Sequence, residues 1–233
     1  LLRSTAAEIG APLVTGAPRS AGGRLSNAVV RVDASGLRDS YDKQVLVPFA
    51  ETDPSWIGFL APLLGPVTAG PPYVAGREAR VFEGPIPFAT PICFEITDPR
   101  LVRRFREAGA RLIVNLSNDA WFGRTGYAEL HLAHAVFRAV ELRSWVVRGT
   151  NTGISALIDA AGRVRSELGV GEVGSVRGRV AAAGPPTPYA RFGSAPFLAL
   201  LAAGVAAAPL TGNARSAPAR SPRRARGRKA RRA

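Results

Sequence analysis

The sequence predicts an α/β sandwich, on three observations. Short β-prone runs alternate with helical segments at residues 101–108 and 131–143. The second of these helices is amphipathic, with an apolar stripe to bury against a sheet. Apolar residues make up 46% of the 233, enough for a real core in one domain plus extras.

Residues 5–10 read as the end of a helix. Pro12-Leu13-Val14-Thr15-Gly16 reads as a short buried strand. Ala28-Val29-Val30-Arg31-Val32-Asp33 reads as a second strand, turned by Ala34-Ser35-Gly36. Val45-Leu46-Val47 predicts a third extended run, stopped by Pro48. Residues 51–78 are rich in Pro and Gly and predict a long irregular excursion, of the kind that often serves as a lid. Arg80-Val81-Phe82 and Pro91-Ile92-Cys93 are strand-like.

The helix at 101–108 is ended by Gly109. Arg111-Leu112-Ile113-Val114-Asn115-Leu116 predicts a buried strand. In the helix at 131–143 the stripe is Leu132, Ala135, Val136, Ala139 and Val140. Trp145-Val146-Val147-Arg148 and Ile154-Ser155-Ala156-Leu157-Ile158 predict two more strands, the last followed by the turn Asp159-Ala160-Ala161-Gly162.

No charged residue occurs between Arg191 and Arg215. Such a length reaches the ~20 apolar residues that cross a bilayer, so residues 191–214 predict a transmembrane helix. Nine Lys and Arg and no acid follow at 215–232, which places most of the net charge of +14 in a disordered basic tail, 215–233. Basic residues after a span sit on the cytoplasmic side, which puts the preceding domain, 1–190, on the opposite face. The competing reading of the tail is nucleic-acid binding. The tail has no interleaved aromatics and directly follows an apolar run, so no nucleic-acid partner is expected.

The single cysteine, Cys93, excludes an internal disulfide and any multi-cysteine zinc site. With two histidines, His131 and His134, there is little to build a metal centre, and neither metal nor cofactor is expected. Both histidines lie on the amphipathic helix, where packing or capping is the expected role, and Glu141 reads as a buried structural acid. The chain has no methionine and begins Leu1-Leu2-Arg3, which predicts a fragment whose N-terminus lies upstream.

Cys93 lies in Pro91-Ile92-Cys93-Phe94-Glu95-Ile96, between a β-prone run and a helix. A thiol there can face a set of backbone N–H donors, which suits attack on an acyl carbon. Equally, a lone cysteine packs as a small hydrophobe. In Tyr41-Asp42-Lys43-Gln44-Val45-Leu46-Val47-Pro48-Phe49-Ala50-Glu51, Lys43 enters an apolar run and Glu51 follows eight residues on. A lysine near a thiol favours the thiolate and can stabilise an oxyanion. Taken alone, Lys43 reads more readily as a surface lysine on an edge strand.

These two blocks, in this order, resemble the nitrilase (carbon–nitrogen hydrolase) superfamily. A third block, Asn115-Leu116-Ser117-Asn118-Asp119-Ala120-Trp121-Phe122-Gly123, resembles its membrane-embedded branch, the apolipoprotein N-acyltransferases. Arg138-Ala139-Val140-Glu141 and Thr150-Asn151-Thr152-Gly153 follow in that branch's order. The resemblance implies a nitrilase-like α-β-β-α sandwich, incomplete at its N-terminus, with a C-terminal transmembrane helix.

It also implies a Glu-Lys-Cys triad. Cys93 would be the nucleophile, Lys43 the catalytic lysine, Glu51 the supporting glutamate and the Phe94 backbone N–H an oxyanion donor. Asn118, Trp121, Phe122 and Trp56 would contact substrate, with Trp56, Ile57, Phe59 and Leu60 on the lid. Phe94 stands where Tyr is usual, Ala50 where Gly is, Leu130 where Gln often is, and Thr152 where Asn is.

The general-base Glu of the family's Pro-Glu motif is absent from this chain. Glu8 lacks the preceding proline and does not replace it, so the fragment alone is expected to be inactive. The implied partners are a phospholipid acyl donor, a diacylglyceryl apolipoprotein acceptor and the bacterial inner membrane, for a monomeric enzyme with its catalytic domain on the periplasmic side. A soluble amidase or nitrilase, or an inactive relic, are the alternatives.

Overall fold

The computed structural model describes residues 1–21, 23–52, 73–120, 123 and 125–211. The chain divides into two compact units, Leu1–Gly193 and Ser194–Ala233.

In the first unit, helix α1 (Leu2–Ile9) ends at Gly10, whose φ of 64° makes the left-handed cap that closes many helices. Strands β1 (Leu13–Ala21), β2 (Arg24–Asp33) and β3 (Gly36–Asp42) form an antiparallel sheet in the order β1-β2-β3. Ala28, Val29 and Val30 are buried in succession. Because neighbouring strand residues point to opposite faces, β2 is covered on both sides. Helix α1 packs on β2, and β1 lies against the second sheet.

That second sheet has six strands in sequence order: β4 (Val81–Phe82), β5 (Phe88–Ala89), β6 (Leu112–Ser117), β7 (Val146–Thr150), β8 (Ser155–Ile158) and β9 (Val164–Leu168). The centre, β5-β6-β7, is parallel and the flanking pairs are antiparallel. Pro87 and Pro91 bracket β5 and keep it short, since proline donates nothing to a ladder. Pairing resumes at a single bridge, Ile92 to Leu116. Helix α2 (Pro99–Glu107) starts on Asp98, whose carboxylate accepts from Arg100 N and Leu101 N at 2.8 and 3.2 Å, with Pro99 at the first helical position. Helix α3 (Tyr127–Leu142) packs on β7 and β8. The layers run helix, three-stranded sheet, six-stranded sheet, helices, which is the α-β-β-α arrangement expected. One core joins them, from Val29 and Tyr41 through Phe82, Ile96, Phe105 and Ile113 to Ala139 and Ile158.

Three expectations are corrected. Val45-Leu46-Val47 is not a strand: the N–H groups of Val45 and Val47 donate to the carboxylates of Glu95 and Glu51 instead of to a neighbouring strand. The third strand is the more polar β3, entered through an Asx turn in which Asp33 Oδ1 accepts from Ser35 N at 2.8 Å. Strand β9 was not anticipated. On α3 the buried face is Ala128, His131, Ala135, Arg138, Ala139 and Leu142, while Val140 is half exposed.

The apolar run at 191–214 is described as far as Thr211. It forms the end of helix α4 (Pro188–Phe192), a break at Gly193 with φ 59°, and helix α5 (Ala195–Thr211). No helix among the described residues is long and apolar enough to cross a membrane. The basic tail expected at 215–233 lies outside the described residues.

Candidate active site

Lys43 follows directly on β3. Its N–H donates to Asn27 O at 2.8 Å and its carbonyl accepts from Gly76 N at 2.8 Å, so the backbone is held on both sides. The side chain is buried, 1% exposed, and its Nζ donates to Glu51 Oε2 at 2.6 Å. Glu51 sits in a turn in which Val47 N donates to Oε2 at 2.8 Å and Asn27 Nδ2 to Oε1 at 2.6 Å. Burial works to raise the Glu51 carboxyl, but Lys43, the Val47 N–H and Asn27 outweigh it and hold the group below the ordinary carboxylate range. Glu51 is therefore an ionised partner that pins the lysine.

Cys93 opens a short 3-10 helix, Cys93–Thr97, immediately after the Ile92 bridge. Its φ is 50°, the left-handed region that side chains with a Cβ rarely adopt. Such strain concentrates at functional positions, where the surroundings enforce it. The side chain is partly exposed. Phe94 is exposed at 43%.

Glu95 connects the two segments. It is fully buried. Oε2 accepts from Ile92 N at 2.7 Å, the reach-back half of a capping box. Oε1 accepts from Tyr41 Oη at 2.9 Å, Gln44 N at 2.6 Å and Val45 N at 3.0 Å. The residues flanking Lys43 and the residue before Cys93 thus share one carboxylate. Burial pushes that carboxyl above its ordinary range, against four donors that favour the anion.

Beneath the Cys93 turn lies a buried polar cluster from the ends of β6 and β7 and from α3. Arg148 is fully buried. It donates from Nη2 to Asp119 Oδ2 at 2.7 Å, from Nε to Ile154 O at 3.1 Å, and from Nη1 to Asn115 Oδ1. Burial lowers the Arg148 pKa, opposed chiefly by the charge of Asp119. Burial works to raise the Asp119 carboxyl, but His131, Arg148 and Ser117 outweigh it and leave it depressed. Asn115 Nδ2 donates to Pro91 O at 2.8 Å. His131 Nε2 lies 3.1 Å from Cys93 O. His131, expected to pack or cap, lies against the backbone of Cys93.

The structure thus ties Lys43, Glu51 and Cys93 into one connected scaffold. Sequence reasoning gave no role to Glu95 or Arg148. Glu95 stood inside the cysteine motif, and Arg148 was a charge at the end of an apolar strand, which is the signal of a buried, paired cation. Asn118 is exposed; its Oδ1 accepts from Asn151 Nδ2 at 2.7 Å and from Ala120 N at 3.2 Å, which fixes the loop after β6. Glu141 pairs with Arg138 at 2.9 Å. Trp56, Trp121 and Phe122, expected to contact substrate, lie outside the described residues, as do Ile57, Phe59 and Leu60 of the expected lid. No cluster of three or more metal-binding side chains occurs among the described residues.

The family model for carbon-nitrogen hydrolases matches residues 1–180. An apolipoprotein N-acyltransferase from Caulobacter vibrioides is 40% identical over 171 residues, covering 69% of this chain and 31% of that protein. Its namesake from Bradyrhizobium diazoefficiens is 40% identical over 190 residues, covering 78% and 34%. The chain therefore spans about a third of the length of the curated relatives it matches. Among solved structures, an amidase of the nitrilase superfamily from Nesterenkonia superposes with a TM-score of 0.54 at 20% identity, covering 72% of this chain and 62% of the other, which shows a common fold.

Proposed function

This chain belongs to the carbon-nitrogen hydrolase family, and from that premise we propose that it forms the thiol centre of an N-acyltransferase, moving a fatty acyl group from a phospholipid to the N-terminal amine of a diacylglyceryl-cysteine apolipoprotein. The observation that carries this reading is the single carboxylate, Glu95, that binds the lysine segment to the cysteine turn. The name of the relatives, apolipoprotein N-acyltransferase, supports an apolipoprotein amine as the acceptor.

The Cys93 thiolate attacks the carbonyl carbon of the phospholipid ester. A C–S bond forms, and the lysophospholipid leaves with its oxygen protonated. The acceptor's α-amine then attacks the thioester, an amide forms and the thiol returns, so the kinetics are ping-pong. Lys43, held by Glu51, would supply positive charge to the oxyanion. The Phe94 N–H, in the first turn of the 3-10 helix where backbone donors lack helical partners, would receive the oxyanion. Glu51 and Glu95 are held by their donors, which suits them to positioning rather than to shuttling a proton.

Lipid substrates would put the reaction at the bacterial inner membrane; on this reading the catalytic unit faces the periplasm and the enzyme is proposed to act as a monomer without nucleic acid. Exposed Phe197, Leu200 and Val205 on α5 support contact of the second unit with lipid.

The test uses the protein expressed from its native gene, a phospholipid carrying an isotope-labelled acyl chain and a synthetic diacylglyceryl-cysteine peptide. The expected result is label on the peptide's amine. Label appearing solely as free fatty acid would instead make the enzyme a hydrolase.

A further inference from the structure

We propose that His131 is a positioning residue for the thiol centre: its Nε2–H holds the Cys93 carbonyl and so aims the Phe94 N–H toward the oxyanion. The oxyanion part rests on the thioester reading above; the positioning part does not.

The Cys93 C=O and the Phe94 N–H are two ends of one planar peptide unit and point in opposite directions. Whatever fixes the carbonyl fixes the N–H. His131 Nε2 lies 3.1 Å from that oxygen. A carbonyl can only accept, so Nε2 carries the proton. Asn115 Nδ2 approaches the same oxygen at 3.5 Å while donating to Pro91 O at 2.8 Å.

The other end of the imidazole is clamped. Nδ1 lies 3.2 Å from Asp119 Oδ1 and 3.0 Å from Arg148 Nη2, and the Asp119 and Arg148 side chains are both 0% exposed. Ring orientation is therefore set by a buried ion pair spanning β7 and the loop after β6. The need for such a hold is local: Cys93 keeps a φ of 50° that its own Cβ disfavours. Hydrogen bonds to the carbonyl also polarise the peptide and strengthen its N–H as a donor.

The experiment compares wild type, His131→Leu and His131→Gln. Gln can return a donor to the carbonyl; Leu fills similar space without one. Acylation of Cys93 by a p-nitrophenyl ester needs an oxyanion donor, whereas alkylation by iodoacetamide does not. Losing a donor outright costs about 10²–10³-fold, so a donor left mis-aimed is expected to cost about tenfold. His131→Leu should slow acylation by about that factor and leave alkylation within about twofold. His131→Gln should recover most of the loss. Equal slowing of both reactions, or of neither, overturns the proposal.

NMR of the 13C carbonyl of Cys93 and the 15N amide of Phe94 gives a second readout that requires no turnover. Both signals should move in His131→Leu and return toward wild type in His131→Gln; unmoved signals overturn the positioning claim. Wild-type protein that resists acylation while these signals move as expected would remove the thioester reading and leave the positioning claim standing.

Discussion

Glu95 Oε1 accepts the Gln44 N–H at 2.6 Å, so the residue after the buried lysine is fastened to the residue two beyond the thiol. With Ile92 N on the other oxygen at 2.7 Å, one buried carboxylate sets the distance between two segments 51 residues apart in sequence.

Replacing that carboxylate removes acceptors from buried N–H groups. Glu95→Gln puts an amide NH2 where one of the two oxygens accepted. The expected loss is about 2–3 kcal/mol of stability, read from urea unfolding. Acylation of Cys93 should fall together with stability, because the lysine and cysteine segments lose their common anchor.

Lys43 and Glu51 form an ion pair with side chains 1% and 13% exposed. Lys43→Met or Glu51→Gln alone strands the partner and should cost about 3–5 kcal/mol. The double variant should be more stable than the sum of the single losses predicts. A double-mutant cycle with no coupling would show that the pair is not the unit described.

The strain at Cys93 gives a separable signature. A left-handed residue with a Cβ is disfavoured by about 1–2 kcal/mol relative to glycine. Cys93→Gly should therefore be about 1 kcal/mol more stable than Cys93→Ala, with thioester formation abolished in both. Chemical denaturation of the two variants checks it.

Asp119 sets an acid limb. Its folded pKa is depressed below the ordinary value of 3.8, chiefly through His131 and Arg148 acting against burial. In that window the unfolded chain binds the proton more readily, so stability rises with pH. The contribution is fully present above the ordinary value and is lost as pH falls through the depressed one. Asp119→Asn should be markedly less stable at neutral pH, and the gap should close below about pH 4. Urea midpoints across pH 2–7 for both proteins read it directly. The same site is crowded by Gly153, where a Cβ would lie 2.2 Å from Asp119 Oδ2, so Gly153→Ala should reproduce part of the Asp119 defect.

Local signals drew attention to Cys93 and Lys43 without deciding their roles, and the family resemblance supplied the proposed roles of Cys93, Lys43 and Glu51. The α/β class followed from the alternation of elements, and β6, β8 and the two longer helices of the first unit lay close to their expected bounds. Contacts between distant segments were not legible. Arg148 meets Asn115 and Asp119 across 33 and 29 residues, and His131 meets Cys93 O across 38. Local periodicity carries no trace of such pairings. Val45-Leu46-Val47 misled for the same reason, since carboxylates from elsewhere claim the N–H groups of Val45 and Val47. Within the apolar run at 191–214, Gly193 separates two helices among the described residues, a break that hydropathy alone does not show.

The central claim is that Cys93 carries the acyl group. Intact-protein mass spectrometry of the protein from its native gene, quenched in acid after exposure to phospholipid in detergent micelles, tests it most directly. The account predicts one added acyl chain, mapped to Cys93, released by neutral hydroxylamine and absent in Cys93→Ala. An acyl chain found elsewhere, or transfer to the acceptor peptide that persists in Cys93→Ala, would contradict it.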